Sequence, residues 1–491
     1  MKKVLSVILS LVMVLSVGIC AFATDADVDY TITSTYEDVD FGAYEQYKTD
    51  LHSHTNASDG DNTLQEMVEK HYEEGFDILA ISDHGTVSYS WTKPNYDPTI
   101  KLVMMVKEGV SPIFAFDATG TALNGKTYAV ETVNGDEFYS QDGGDTMLRV
   151  PYANEQNPTS FNNAHVNTWF ADYGHGRIGG TSDYATPISA IDSLGGLSVI
   201  NHPGEYTNAR DEETTADAYN KDNITYKYYI DKFENMLVNY DSCLGIDINS
   251  KGDSRTRFDR KLWDILLTDL APSGRNVYAI ASSDAHNLDI VNSGYVMAVM
   301  PEKTSAALKD CLADGEFFAQ SRYLGNIDEL FAYAQGLIAT GDATAVALGE
   351  AFKANAEIEE KYEFAEDAAA TVITGVNVDN DADTITLEGE NMLYVRWISD
   401  GKVVAEGTTI DLDECENIGS YVRAEIISEG AVTYTQAFLL DYEGMPEAKI
   451  NENFKDTDTA IFAGIDAFLR ALGTALEGVA NMLLPLLGVV N

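Results

Sequence analysis

Basic residues are scarce in this chain of 491: 31 lysines and arginines stand against 79 aspartates and glutamates, a net charge of −48. So acidic a protein repels nucleic acid and anionic membranes at long range, so no nucleic-acid partner is expected. Cysteine is rare too, with four in all. Cys243, Cys311 and Cys415 are widely spaced and odd in number, which excludes a disulfide framework and a Cys-x-x-Cys metal site. Histidine is limited to eight, and that small number makes its placement informative.

Sustained apolar runs are few, and the first is at the start. Lys2 and Lys3 precede Val4 to Ile19, and Ala21-Phe22-Ala23 supplies an A-x-A pattern, which reads as a secretory signal peptide over 1–23. An uncleaved anchor is the alternative; a lipid anchor at Cys20 is disfavoured by the bulky Ile19 before it. The expected location is secreted or extracytoplasmic, with cell-surface association as a further option. The acidic stretch 24–46 then leads into the body of the chain.

Asp50 to Gly60 reads DLHSHTNASDG. On a strand, residues i and i+2 project to one side, so His52 and His54 can converge on one cation, and Asp59 follows in a Ser-Asp-Gly turn. The context recurs. FDILAISDHG places Asp83 and His84 after an apolar run, GLSVINHPG does so for His202, NVYAIASSDAHN for Asp284 and His286, and NNAHVNTWF supplies His165. A single histidine at a strand end is unremarkable. Six out of eight in one context point to metal, because imidazole is a common ligand for zinc and similar ions. Of the remaining two, His71 falls at i+7 of the helical pattern Leu64, Met67, Val68 and is expected to pack at a helix face, and His175 has no such context.

The motifs DLHSHTNASDG, ISDHG, NHPG and SSDAH, in that order, resemble the PHP family, called after polymerase and histidinol phosphatase. The resemblance runs from about Tyr47 to Arg322. It implies an α/β fold, a distorted TIM-like (β/α)7 barrel, with two or three divalent transition metals (zinc, manganese or iron) at the strand C-terminal ends. It also implies hydrolysis of a phosphate mono- or diester in a small phosphorylated substrate. Carried over residue by residue, it gives one metal to His52, His54, Glu155 and Asp284, a second to Glu155, His165 and His202, and a third to Asp59, His84 and His286. Glu155, Asp284 and His286 are expected closest to the chemistry. Family phosphatases commonly add an arginine for the phosphate, for which Arg177, Arg210 and Arg322 are candidates. The family often has a glycine shortly before the bridging glutamate, whereas Ala153 and Asn154 stand here, and Glu131 is the rival bridge. A fold hosts many reactions. Amide or other ester hydrolysis on the same centre, or a secreted binding protein with structural metals, therefore stay open.

The rest of the chain divides by composition. Thr86 to Arg149 shows little periodicity and reads either as a lid over the site or as a surface excursion. The barrel is expected over 47–325 and a helical linker over 326–364. Alternating strands over 365–445 suggest a small β-sandwich. There, Trp397 and Tyr421 look like the core tryptophan and tyrosine corner of immunoglobulin-like domains. The tail, 446–491, carries an amphipathic helix for packing on this protein or a second subunit, with a membrane surface as the alternative. No expected ligand lies beyond Arg322, so the sequence suggests a separable hydrolase.

Overall fold

The computed structural model describes residues 28–93, 96–114, 116–157, 164–179 and 183–489; the expected signal peptide lies outside them. The fold is mixed α/β. A large sheet of 14 strands carries the opening motif: Glu45–Asp50 lies between Ile78–Leu79, parallel, and Gly294–Met300, antiparallel. Ile78–Leu79 continues parallel to Thr146–Arg149. A second sheet of five strands runs Tyr278–Ala281, Cys243–Asn249, Leu197–Ile200, Val166–Trp169, Asn154–Gln156, parallel over its first three strands and antiparallel over the rest.

The expected seven-stranded barrel is therefore not seen as a closed ladder among the described residues. The strands divide between two mixed sheets that meet at two isolated bridges, Ser53↔Ala285 and His84↔Glu155. Both bridges involve or flank expected ligands. The strands feeding them are short because their residues turn to the site as soon as the apolar run ends.

Helices cover the outer faces. Leu64–Glu73 starts at a capping box, with the Thr63 side chain on the Glu66 N–H and Glu66 reaching back to the Thr63 N–H, satisfying two end donors at once. His71 on its inner face is fully buried and bonds Asp50 at 3.0 Å, the packing role its spacing suggests. Within Thr86 to Arg149, the Pro98–Glu108 helix sits beside the opening motif, with the Lys101 ammonium on the Asn56 carbonyl. Three antiparallel strands, Thr119–Thr121, Thr127–Val133 and Asp136–Gln141, extend the large sheet outward. The region is thus part wall of the site and part surface extension.

Two helices, Ile327–Ala339 and Ala343–Glu357, fill the expected linker, and the C-terminal strands beyond them return to the large sheet. Val432–Tyr434 pairs with Phe317–Ser321, so the large sheet runs without interruption from the opening motif into Tyr421–Ile427 and on to Phe438–Asp441, which also pairs with Thr31–Thr33 of the leader. The Gln436 carboxamide accepts from the Ala279 N–H at 2.9 Å and donates to its carbonyl at 3.1 Å, closing the open edge of the five-stranded sheet. One apolar core holds Leu262 and Trp263 of the Asp259–Leu270 helix together with Tyr333, Tyr394, Ile427 and Tyr434.

A three-stranded sheet, Val372–Asp379, Thr384–Glu390 and Thr409–Asp411, faces this extension. Buried Trp397 packs in the apolar layer with Ile373, Ile385 and Ile410. Tyr421 departs from a tyrosine corner, whose hydroxyl reaches backbone a few residues upstream. Its hydroxyl donates to Asp264 at 2.9 Å, on the Asp259–Leu270 helix, and accepts from the Gly401 N–H at 3.3 Å. Cys243, Cys311 and Cys415 are free, the first two buried. The tail forms one helix, Thr457–Leu486. By length and composition its Ile465–Leu486 part could cross a bilayer.

Candidate metal centre

The opening motif is folded so that its histidines cannot face elsewhere. Buried Asp83 accepts from the Thr55 N–H, the Thr55 hydroxyl and the Ser58 hydroxyl, all at 2.7 Å, pinning the loop that follows His54. Gly60 closes that loop against the His54 backbone, where a Cβ would come within 2.8 Å of its carbonyl. Asp50 accepts from the backbone N–H groups of His52 and Ser283, at 3.1 and 3.2 Å, which ties the two strand ends carrying His52 and Asp284 to each other.

All nine expected ligands come together. His52 Nε2 and His54 Nε2 lie 3.0 Å apart, each within 3.2 Å of Glu155 Oε2 and 3.4 Å of Asp284 Oδ1. Bonds of about 2.1 Å to a tetrahedral cation set ligand atoms roughly 3.4 Å apart, so this spacing suits one. On the other oxygen of Glu155, Oε1, sit His165 Nδ1 at 3.0 Å and His202 Nε2 at 3.3 Å. Asp59 lies 3.5 Å from His286 Nε2 and 3.7 Å from both His84 Nε2 and His54 Nδ1. The convergent sets are His52, His54, Glu155, Asp284; His54, Asp59, His84, His286; and His84, Glu155, His165. The first reproduces the expected grouping. In the others, His54 and His84 each belong to two sets, His84 stands with Glu155 and His165 where His202 was expected, and His202 belongs to none of the three.

Ordinary hydrogen bonds leave part of this arrangement unpaired. His52 Nδ1, His84 Nδ1, both ring nitrogens of His202 and Asp284 Oδ1 are buried with no hydrogen-bond partner. Buried polar atoms are nearly always paired; here His84 Nδ1 and His202 Nε2 lie 3.4 and 3.3 Å from Glu155, and Asp284 Oδ1 lies 3.4 Å from His52 Nε2, the spacing of a candidate metal site. The backbone is strained at two of the ligands: His202 and Asp284 have φ of 24° and 45°, a left-handed turn forced on non-glycine residues where they leave their strands.

The electrostatics divide the histidines. Burial pulls His84 down to about 3 and His202 to about 4, so both are neutral and free to ligate. Burial works against a charge on His54 as well, but hydrogen bonds to Asp284 and Glu155 outweigh it and drive the group up to about 10. Glu155 and Asp284 are held well below the usual carboxylate range: burial opposes this, and the groups facing them, His165 and His52 foremost for Glu155 and His52 and Lys251 for Asp284, overcome it.

Around the ligands stand residues that sequence reasoning missed. Asn201 donates to Glu155 Oε1 at 2.7 Å. The Tyr206 hydroxyl lies 2.9 Å from His165 Nδ1, Lys251 Nζ 3.1 Å from His286 Nδ1, and Arg255 Nη1 3.3 Å from Asp284 Oδ2 and 2.8 Å from Glu205 Oε2. Lys251 and Arg255 come from one turn after the Cys243–Asn249 strand, where Lys251, Gly252 and Asp253 all have φ between 50° and 58°. The available signal was SKGDSR at a strand end, the context already marked for the histidines.

The three expected arginines are elsewhere. Arg177 is exposed over the Tyr173 ring, and Arg322 is turned away to the Ala365 carbonyl. Arg210 pairs with Glu205 at 3.0 Å, one side chain removed from the ligand shell. Asp247 is buried, accepting from the Ser282 hydroxyl at 3.1 Å, with burial pushing it up to about 7. Glu131 sits exposed on the outer hairpin.

A family model described as PHP domain matches residues 50–231. The match takes in His52, His54, Asp59, His84, Glu155, His165 and His202; Asp284 and His286 lie beyond it. No curated protein matches the chain. Among solved structures, it is similar to a two-domain protein from Bacteroides vulgatus that contains a predicted PHP-like metal-dependent phosphoesterase, at 12% identity, covering 82% of this chain and 88% of that one, TM-score 0.35. A lesion-specific endonuclease from Pyrococcus furiosus is 10% identical over 55% of this chain and 56% of that one, TM-score 0.28. An amidohydrolase from Chromobacterium violaceum is 14% identical over 50% and 90%, TM-score 0.23. At such scores these likenesses carry no weight here; the PHP domain match and the convergent side chains do.

Proposed function

We propose that this protein is a secreted, metal-dependent phosphoesterase acting on a small phosphate mono- or diester. One observation carries the reading: eight histidine and carboxylate side chains fall into three linked convergent sets, His202 joins them at Glu155 Oε1, and several of their buried ring nitrogens have no hydrogen-bond partner. His52, His54, Glu155 and Asp284 would hold one divalent cation, Glu155 with His165 and His202 a second, and Asp59, His84 and His286 a third. Bound there, the cations would supply a water ionised near neutral pH and neutralise charge on the phosphoryl oxygens.

The chain's own residues do the rest. Glu155 offers one oxygen to each of two sets and is fixed by Asn201. The Tyr206 hydroxyl, 2.9 and 2.8 Å from the two ring nitrogens of His165, packs against that ring. Arg255 and Lys251 set positive charge beside Asp284 and His286, where an anionic ester arriving at the cations would meet it. They replace Arg177, Arg210 and Arg322 as the groups for the phosphate.

Metal analysis of the purified chain, with turnover of aryl phosphate mono- and diesters before and after chelation, tests this. Two or more equivalents of transition metal and turnover abolished by chelator are expected. Metal-free protein with undiminished turnover would sink the mechanism. A fully metallated protein that cleaves amides or carboxylate esters but no phosphate would keep the centre and remove the substrate class.

A further inference from the structure

The C-terminal helix has two apolar faces, and the fold covers one of them. Leu469, Ala480 and Leu484 are 3%, 0% and 1% exposed, packed on Ile100, Met104 and Ile178 and on Leu102 and Met105 nearby. Gly473 on the same face lies where a Cβ would come within 3.2 Å of the Ile178 side chain. The second face is open. Ile461, Ile465, Phe468 and Leu472 are 62%, 41%, 67% and 37% exposed, and the row continues through exposed Ala475 to Val479, Met482 and Leu486 at 41%, 60% and 78%.

The steps along this row alternate four and three residues without a break from 461 to 486. That is a period of 3.5, the a/d seam of a left-handed coiled coil, in which each side chain fills a hole between four on the facing helix. A helix lying on a bilayer needs only an apolar half-cylinder at 3.6, with basic residues along its polar side. This helix carries Arg470 as its one base, against Asp458, Asp466 and Glu477, on a chain of net charge −48. Crossing a bilayer would pull Leu469, Ala480 and Leu484 off the protein.

We propose that a second copy of this chain covers the seam, giving a two-fold dimer through a two-stranded coiled coil. The seam itself is free of charge, since Asp466, Arg470 and Glu477 lie off it, so nothing in it selects an oppositely charged partner. A two-fold axis presents each seam with its own complement. Twenty-six residues of helix are about 39 Å long, and two such seams face to face cover on the order of 1,200 Å², the lower end for a stable interface.

Sedimentation equilibrium of the full chain at micromolar concentration, without detergent, tests the proposal. Twice the chain mass is expected for the native sequence. Phe468→Glu combined with Leu472→Glu should give the monomer with unchanged helical circular dichroism, because both positions face solvent in the single chain. Ala475→Leu fills the one small seam position and should lower the dissociation constant about tenfold. A monomeric native chain overturns the proposal, as does a dimer that survives the double variant. A monomer that floats with phosphatidylcholine vesicles, and stops doing so in the double variant, assigns the seam to lipid instead.

Discussion

Two regions of this protein bury charge densely, and they do so in opposite ways. Around Glu155, like groups crowd together: histidine against histidine at 3.0 Å, two carboxylates within reach of both, and ring nitrogens left without partners. At the junction with the C-terminal strands, unlike groups alternate. Arg423 holds Asp264 with two nitrogens at 2.7 and 2.8 Å and Glu425 with the third at 2.7 Å, while Arg396 takes the other oxygen of Glu425 at 2.6 Å. Burial there would raise Glu425, yet Arg396 and Arg423 hold it down to about 2. The second region is complete as it stands. The first leaves ligand atoms unpaired, as a candidate metal site does, and that contrast separates a site from a clamp more sharply than burial or charge alone.

The comparison breaks hardest at Glu155. Glu155→Gln keeps the volume and removes the charge that two metal sets share, so turnover should fall by about three orders of magnitude or more, with at least one metal equivalent lost by elemental analysis. Glu131→Gln, on the outer hairpin, should change neither. If the two behave the other way round, the bridge has been misassigned.

At the clamp the effect should fall on stability instead. Arg423→Ala strands buried Asp264 without its cation and leaves Glu425 to Arg396 alone, and should destabilise the protein by about 3–5 kcal/mol in urea unfolding. Metal content and turnover of the folded fraction should not move. The same junction bears on the separable hydrolase suggested by the sequence: a chain ending after Arg322 would lose the Val432–Tyr434 strand from the sheet edge and Gln436 from the edge of the other sheet. Such a truncation is expected to aggregate, and a soluble, active fragment would show that the clamp is dispensable.

A smaller effect separates the arginines. Arg255→Ala should raise KM for a phosphate ester or lower kcat/KM by about 10- to 100-fold, since a charge-assisted contact is worth roughly 1.5–3 kcal/mol. Arg177→Ala and Arg322→Ala should stay within twofold in folded protein.

What could be read from the chain follows from how each signal is written. His52, His54, His84, His202, Asp284 and His286 were legible because an apolar run announces a strand and the polar residue ending it must emerge at one edge. Glu155 needed the family order, since the strand before it shows only a short apolar stretch. Arg255 and Lys251 were only half legible: SKGDSR stands at a strand end, but they reach the site through consecutive left-handed residues of which Gly252 alone advertises the turn. The merging of the C-terminal strands into the large sheet was hidden for a different reason. Strand pairing across a hundred residues leaves no local periodicity, and Gln436 imitates a backbone pair with a side chain.

The mildest test concerns protons at the metal centre. His54 is held up at about 10 without a cation, so at pH 7 it carries a proton that a ligating imidazole cannot keep. His84 and His202, pulled down to about 3 and 4, have none to lose, and Glu155 and Asp284 are already ionised. His52 is also raised, its carboxylate neighbours outweighing burial, and can add a second proton. Metal binding at pH 7 should therefore release one to two protons. The sign follows directly: proton and cation compete, so affinity rises with pH, by about tenfold per unit for each proton released, throughout the range below the raised value. A site of ordinary histidines, titrating near about 6.5, would level off above pH 7. Calorimetric titration of metal-stripped protein in buffers of different ionisation enthalpy, at pH 6, 7 and 8, measures the release. A slope that vanishes between pH 7 and 8 would mean that Glu155 and Asp284 do not hold His54 in its charged form.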